Sequence, residues 1–274
     1  MNHNKIKNAV IINGPGRSGT TLLSNILSLH KEFYWISGYL NKYPNLPIIS
    51  IFNNFQRINQ FEEFNREKKK FPRPAEAYGF WKHYFKEFNQ NLGKPRESEI
   101  ENSLKVINKI KKYSNGNRFI TKITGGARYE FIDSIFENPT ILWIDRKPES
   151  VVMSYYKQRW NYKSKLEEFD KKQKTELIKE YSNKFKTINK EKKSLQKFNF
   201  HQLFYEDLVL DPLIFFSSLC KNLNLEMYNS YYDKIKNWEI YQGSNDSYKK
   251  QLSKEELKFI ESELCNVSRI LGYK

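Results

Sequence analysis

Cysteine, histidine and long apolar runs are all scarce in this sequence, and each scarcity removes a class of protein. Cys220 and Cys265 are the only cysteines among 274 residues, too few and too far apart for a disulfide framework or a cysteine-based zinc site. A reducing compartment is expected, with each cysteine a small apolar residue. The four histidines stand at positions 3, 30, 83 and 201, so no metal-ligand cluster is expected either. No apolar stretch approaches the ~20 residues that cross a bilayer. The first apolar run, Ala9 to Ile12, is too short for a signal-peptide core. A soluble, cytoplasmic protein without a transmembrane segment is the expectation. No internal repeat and no linker divides the chain, which reads as a single domain over residues 1–274.

Acidic residues are also in deficit, with 31 Asp and Glu against 47 Lys and Arg, for a net charge of +16. Such an excess points to an anionic partner, whether nucleic acid, a membrane surface or a small molecule carrying several phosphates. Lysine is abundant along the whole sequence, so an ordinary solvated surface accounts for part of it. Nucleic acid is the weakest of these readings, because the charge is spread and no recognition motif accompanies it. Aromatics at 16% argue for a folded globule.

The apolar pattern alternates between strand and helix. Ala9 to Ile12 is a short β-branched run ending in the glycine-rich Asn13-Gly-Pro-Gly16, and Leu22, Leu23, Ile26, Leu27 and Leu29 then recur at helical spacing. Strands over 119–123, 140–144 and 199–205 follow, with helices over 127–136 and 148–160 between them and another running from 212 to about 223. Apolar strands separated by helices imply a parallel sheet and an α/β fold, its sheet flanked by helices. Residues 33–117 are mostly helical and aromatic-rich, and read as an insertion between the first two strands. The charged stretch 164–197 reads as a helix with a solvated face, acidic residues being interspersed throughout. A C-terminal helix over 253–264 begins with a capping box, Ser253 and Glu256.

The loop Asn13-Gly-Pro-Gly-Arg-Ser-Gly-Thr-Thr21 lies where backbone N–H groups and a helix N-terminus converge on an anion. Gly14, Gly19, Thr20 and Thr21 keep the spacing of a phosphate-binding P-loop, with Thr20 where a phosphotransfer loop has Lys. The cation has moved to Arg17, which can fork two hydrogen bonds onto an anion. A kinase or NTPase is therefore the second reading. The run Gly16-Arg-Ser-Gly-Thr-Thr-Leu-Leu23 resembles the 5′-phosphosulfate loop of sulfotransferases that use 3′-phosphoadenosine-5′-phosphosulfate. The arginine is similar to that of the tyrosylprotein and bacterial branch.

Other segments carry the resemblance further. Arg146, at the end of a strand, is followed eight residues later by Ser154, similar to the family's 3′-phosphate site, although Lys147 replaces its usual acidic residue. Salt bridges from Arg146 to Asp145 or Glu149 are the structural alternative. Lys122 occupies the strand whose lysine, in the family, approaches the sulfate. Tyr205-Glu-Asp-Leu208 is similar to the segment whose tyrosine packs near adenine. Lys249 and Lys250 lie where the family has a basic loop over the nucleotide, and Leu271-Gly-Tyr273 resembles its ending.

The resemblance thus implies sulfuryl transfer from 3′-phosphoadenosine-5′-phosphosulfate, without a metal, to a hydroxyl or amine of an acceptor such as a carbohydrate, lipid, peptide or small metabolite. The nucleotide set is Gly16, Arg17, Ser18, Gly19, Thr20, Thr21, Arg146, Ser154, Tyr205, Lys249 and Lys250, with Arg17 and Lys122 as catalytic cations. Two departures concern the general base. Where tyrosylprotein-type enzymes have Glu this chain has Trp35-Ile-Ser-Gly-Tyr39, and where cytosolic enzymes have His it has Thr124. Glu76, His83 and Glu87 are the candidates within the insertion, which is expected to hold the acceptor. Its Trp35, Tyr39, Tyr78, Phe80 and Trp81 either stack on sugar rings or pack in the core. The unassigned positive charge is left to an acidic acceptor, peripheral membrane contact or plain solvation.

Overall fold

The computed structural model describes residues 5–57, 72–88, 93–158, 168–240, 245, 247–250 and 252–273. Short apolar runs build a central five-stranded parallel sheet. Its strands are β2 (Val10–Asn13), β3 (Phe33–Trp35), β4 (Arg118–Lys122), β6 (Thr140–Asp145) and β7 (Asn199–Phe204), ordered β3-β4-β2-β6-β7. A separate two-stranded parallel pair joins β1 (Ile6–Lys7) to β5 (Phe136–Glu137). In the centre Val10 lies opposite both Ile120 and Thr140, and Asn13 opposite Trp143. The carboxyl ends of β2, β4 and β6 therefore reach the same rim, where open α/β sheets bind ligands.

Both faces of the sheet are covered, which is why its central strands carry the continuous apolar runs Val10–Ile12 and Ile141–Ile144. On one face Val10, Ile12, Leu142 and Ile144 pack on α1 (Thr20–Leu27) and on Leu208 and Phe216 of α8 (Tyr205–Leu210) and α9 (Pro212–Asn222). On the other, Ile11, Ile141 and Trp143 meet α3 (Tyr78–Tyr84), α4 (Glu97–Tyr113) and α5 (Tyr129–Ile135). A third cluster joins α6 (Pro148–Gln158) to α7 (Lys171–Leu195) and the C-terminal α11 (Lys254–Ile270). The Ser253–Glu256 capping box is formed as expected.

Two expectations change. The insertion 33–117 is not wholly between the first two strands: it opens with the edge strand β3, paired with β4 through Tyr34 opposite Phe119. Three aromatic residues are too short a run to register as a strand, and only the neighbouring β4 makes them one. After β3 come α2 (Gly38–Lys42) and a 3-10 helix, Pro47–Arg57, then α3 and α4. The second change is in α7, whose Tyr181 and Phe185 are fully buried and whose Lys192 donates to Asp145 Oδ2 at 2.7 Å. One side of this charged helix is solvated and the other is sunk into the protein. Among the described residues no helix is long and apolar enough to cross a membrane.

Candidate active site

The loop from β2 into α1 is tightly constrained. Gly14 has φ +139°, and a Cβ there would stand 2.5 Å from the Ile144 carbonyl oxygen. Gly19 has φ +95°, and a Cβ there would stand 2.4 Å from the Tyr205 ring. Only glycine fits either position. Arg17, between them, holds φ at +69°, an unfavourable conformation for a side chain of its kind. Ser18 Oγ donates to Pro15 O at 2.6 Å and braces the turn. The first N–H groups of α1, at Thr20 and Thr21, have no preceding helical turn to accept them. The loop is thus a cradle of donors held in shape by packing.

Four side chains expected at the nucleotide site meet here. Arg17 Nε donates to Ser154 Oγ at 2.9 Å, and Arg146 Nη1 donates to the Arg17 carbonyl at 3.0 Å. The Arg146 guanidinium lies 4.4 Å from the Tyr205 ring centroid. Burial pulls the pKa of Arg146 down, partly offset by Tyr205 and Glu206. Asp145 instead receives Trp143 Nε1, Lys192 Nζ and Gln202 Nε2, and Glu149 receives Ser268 Oγ. The acidic neighbours in sequence are therefore engaged elsewhere, and Arg146 is turned to the loop.

Sequence reasoning missed the brace behind Arg146. Arg146 Nε donates to Asn245 Oδ1 at 2.7 Å, while Asn245 Nδ2 donates to Glu206 Oε1 at 2.8 Å. Glu206 also accepts from the Lys147 backbone N–H and from Tyr273 Oη. Asn245 lies in a polar loop with no periodicity, so its only available signal was the adjoining basic pair. In the short 3-10 helix Ser247–Lys250, Tyr248 is buried and Lys249 is exposed. The side chain of Lys250 lies outside the described residues.

Lys122, at the end of β4, is buried and donates to Thr21 Oγ1 at 2.9 Å. Its Nζ lies 3.9 Å from Glu76 Oε2. Burial lowers the Lys122 pKa, Arg17 adds to that, and Glu76 opposes it. Burial raises the Glu76 pKa, while Lys122, Arg128 and the Thr124 N–H pull it back. Glu76 arrives from far along the chain because the segment before it runs beside α2, with Ser37 bridged to Pro74 and Ala75 N–H donating to Ile36 O at 2.9 Å.

These groups open onto a cleft of about 840 Å³ lined by the loop, Glu76, Tyr78, Thr124–Gly126, Arg128, Tyr155 and one stripe of α7. Arg128 staples its wall. Nη1 donates to the carbonyls of Thr124 at 2.9 Å and Gly126 at 3.1 Å, Nε to that of Phe88, and Nη2 to Tyr78 Oη at 3.1 Å. The α7 stripe is Lys184, Thr187, Ile188 and Glu191, at helical spacing. Lysine recurs along the whole helix, so the sequence pattern gave no reason to single these four out.

The other candidate bases stand apart. His83 is exposed, hydrogen-bonds Asn45 Oδ1 at 3.0 Å, and does not line the cleft. Its helix turns Phe80 and Trp81 into the core, which sends His83 to the outside. Glu87 lines a separate cavity of about 550 Å³. Of the five aromatic candidates for sugar stacking, Trp35, Phe80 and Trp81 are buried in the core, Tyr39 is exposed, and only Tyr78 faces the cleft. Among the described residues no group of His, Cys, Asp or Glu is arranged to hold a metal ion.

The glycine cradle with its internal arginine follows β2, and the second arginine and its serine follow β6, the neighbouring strand of the sheet. The chain matches the sulfotransferase family model over residues 9–229 and belongs to that family. Its fold is similar to sulfotransferase STF9 from Mycobacterium avium, with a TM-score of 0.70 at 12% identity over 98% of this chain and 78% of that one. It is also similar to the sulfotransferase domain of the curacin biosynthetic pathway, with a TM-score of 0.56 at 16% identity over 99% of each chain. Mouse sulfotransferase SULT7A1, complexed with PAP, gives a TM-score of 0.50 at 12% identity over 97% of this chain and 87% of the other. At such identities the likeness is one of fold. No curated protein shows a significant match to the sequence.

Proposed function

We propose that the protein transfers a sulfuryl group from 3′-phosphoadenosine-5′-phosphosulfate to a hydroxyl or amine of an acceptor bound in the cleft. The observation that carries this reading is the meeting of Arg17, Lys122, Arg146 and Ser154 around one glycine cradle. The residues fit the nucleotide: Gly14 and Gly19 hold positive φ values where any Cβ would clash with the protein, the backbone of an anion-binding strand-to-helix loop, and three cations border it. In this reading the loop from Gly14 to Thr21 and Arg17 hold the 5′-phosphosulfate, and Arg146 and Ser154 hold the 3′-phosphate with help from Lys249. Tyr205 flanks the adenine. The bound phosphosulfate supplies an activated sulfuryl group, taken by the acceptor in an in-line displacement that releases adenosine 3′,5′-bisphosphate.

The chain's own groups do the rest by positioning and charge. Lys122 and Arg17 set positive charge where the leaving phosphate oxygen gains negative charge, and the N–H groups of the loop add fixed dipoles. Glu76 takes the acceptor's proton. A carboxylate raised in pKa by burial is a stronger base than an exposed one, and the ammonium of Lys122 beside it favours its ionised form. Arg128 holds Tyr78 and the Thr124–Gly126 turn, and so positions Glu76 without touching the reacting atoms. The acceptor region is the part of 33–117 around Glu76 and Tyr78 together with the α7 stripe, within a single domain. The arginine in the loop supports the tyrosylprotein and bacterial branch. Incubation with sulfur-labelled nucleotide and pooled cell extract, followed by mass spectrometry, tests the reading: a sulfate gain on an extract component supports it, and nucleotide binding without any labelled product contradicts it.

A further inference from the structure

The 3-10 helix Pro47–Arg57 is packed inside out. Its polar residues point inward, with Ser50 fully buried and Asn53 nearly so. Asn53 Nδ2 donates to Trp35 O at 2.9 Å, Asn54 Nδ2 to Tyr113 O at 3.1 Å, and Ser114 Oγ to Ser50 O at 3.2 Å. Three of its apolar residues point outward. Ile48, Ile51 and Phe52 are 57%, 49% and 46% exposed, and beside them Leu46 is 51%, Tyr43 46% and Tyr39 41% exposed. Six of the ten large hydrophobic side chains exposed among the described residues thus fall between positions 39 and 52. Isolated exposed apolar residues are ordinary, but a contiguous patch marks a surface that is covered in use.

Charge identifies the cover. Residues 33–57 contain no Asp or Glu, although the chain has 31. Lys42 lies in the patch, its ammonium 5.3 Å from the Tyr43 ring centroid. The 3-10 helix packs on the C-terminal half of α4, where Lys105, Lys109, Lys111 and Lys112 are exposed and residues 102–113 hold no carboxylate. On α3, bonded to the same stretch through Asn41 and Asn45, Lys82 is exposed, while Glu76 is turned into the cleft. Among the described residues these apolar side chains lie beside exposed lysines and no carboxylates, which matches an interface of acyl chain and anionic headgroup. Protein–protein interfaces are by contrast depleted of lysine.

We propose that this face docks on an anionic lipid bilayer, with Ile48, Ile51 and Phe52 entering the headgroup boundary and the lysines meeting lipid phosphates. The proposal stands apart from the sulfotransferase reading and uses residues outside the cleft. It is tested by sedimenting the full chain with phosphatidylcholine vesicles and with mixed phosphatidylcholine–phosphatidylglycerol vesicles. Wild type is expected to pellet with the mixed vesicles, less so as salt rises, and the Ile48→Asp, Ile51→Asp double variant to bind about tenfold more weakly. No pelleting of wild type with mixed vesicles, or equal pelleting of wild type and variant, overturns it. Without lipid, the variant is expected to melt where wild type does and both to sediment as the same species. A melting point several degrees lower would assign the patch to packing within the chain, and a wild-type dimer dissolved by the variant would assign it to a second copy; either result overturns membrane docking.

Discussion

The two sides of the cleft are assembled on different principles. On the nucleotide side the three cations stand within a few residues of the end of a sheet strand: Arg17 after β2, Lys122 at the end of β4, Arg146 after β6. Parallel pairing brings those ends together whatever the intervening chain does. On the acceptor side Glu76 and the α7 stripe come from segments brought in by long-range contacts, such as the Ser37–Pro74 bridge and the bonds of Arg128 to Phe88 and Tyr78. Chemistry placed at strand ends is local in sequence, and chemistry placed by tertiary contact is not.

The largest expected effect lies where the two sides meet. Lys192 of α7 pairs with Asp145, which is fully buried at the end of the strand that delivers Arg146. Lys192→Ala leaves that carboxylate unpaired and is expected to cost about 3–5 kcal/mol, read by denaturant unfolding. Next comes the acceptor side alone. Glu76→Gln should lower kcat at least about 100-fold while leaving nucleotide affinity nearly unchanged, read by steady-state kinetics and calorimetry. A matching loss of nucleotide affinity would erase the distinction between the sides.

The pH profile sharpens the same comparison. Burial raises the Glu76 pKa, so kcat/KM is expected to fall on the acid side at a pH above the ordinary carboxylate range, as Glu76 takes up a proton. Lys122, Arg128 and the Thr124 N–H hold it down, and Tyr155 also faces it. Arg128→Met removes one of those positive charges and should move the acid limb to higher pH. Arg128→Lys should return it toward wild type. An acid limb that stays in place in Arg128→Met would separate Arg128 from Glu76.

Smaller effects belong to the cradle. Gly19→Ala combines a positive φ with a clash against Tyr205 and is expected to cost about 1–3 kcal/mol, seen in thermal melting and in nucleotide affinity. The exposed Lys249 should matter least: Lys249→Ala is expected to weaken nucleotide binding only about two- to fivefold, increasingly masked by salt.

The same contrast explains what could be read from the residues alone. The strand–loop–helix of 10–27, the Arg146–Ser154 spacing and the Tyr205 segment are each written in contiguous residues, and all three converge as the family resemblance implies. The edge strand Phe33–Trp35 escaped because its identity depends on pairing with β4. Asn245 escaped because a hydrogen-bonding loop has no period. His83 and Glu87 were as eligible as Glu76 on residue type, and only the way α3 buries Phe80 and Trp81 separates them. The α7 stripe was hidden because Lys and Glu occur on both the solvated and the cleft-facing sides of the helix.

The most direct test of the central claim is calorimetric titration of adenosine 3′,5′-bisphosphate into wild type and Arg146→Ala. Tight one-site binding by wild type, lost in the variant with the fold intact by circular dichroism, is the predicted result. Equal binding by the two proteins, or no binding by wild type, would contradict it.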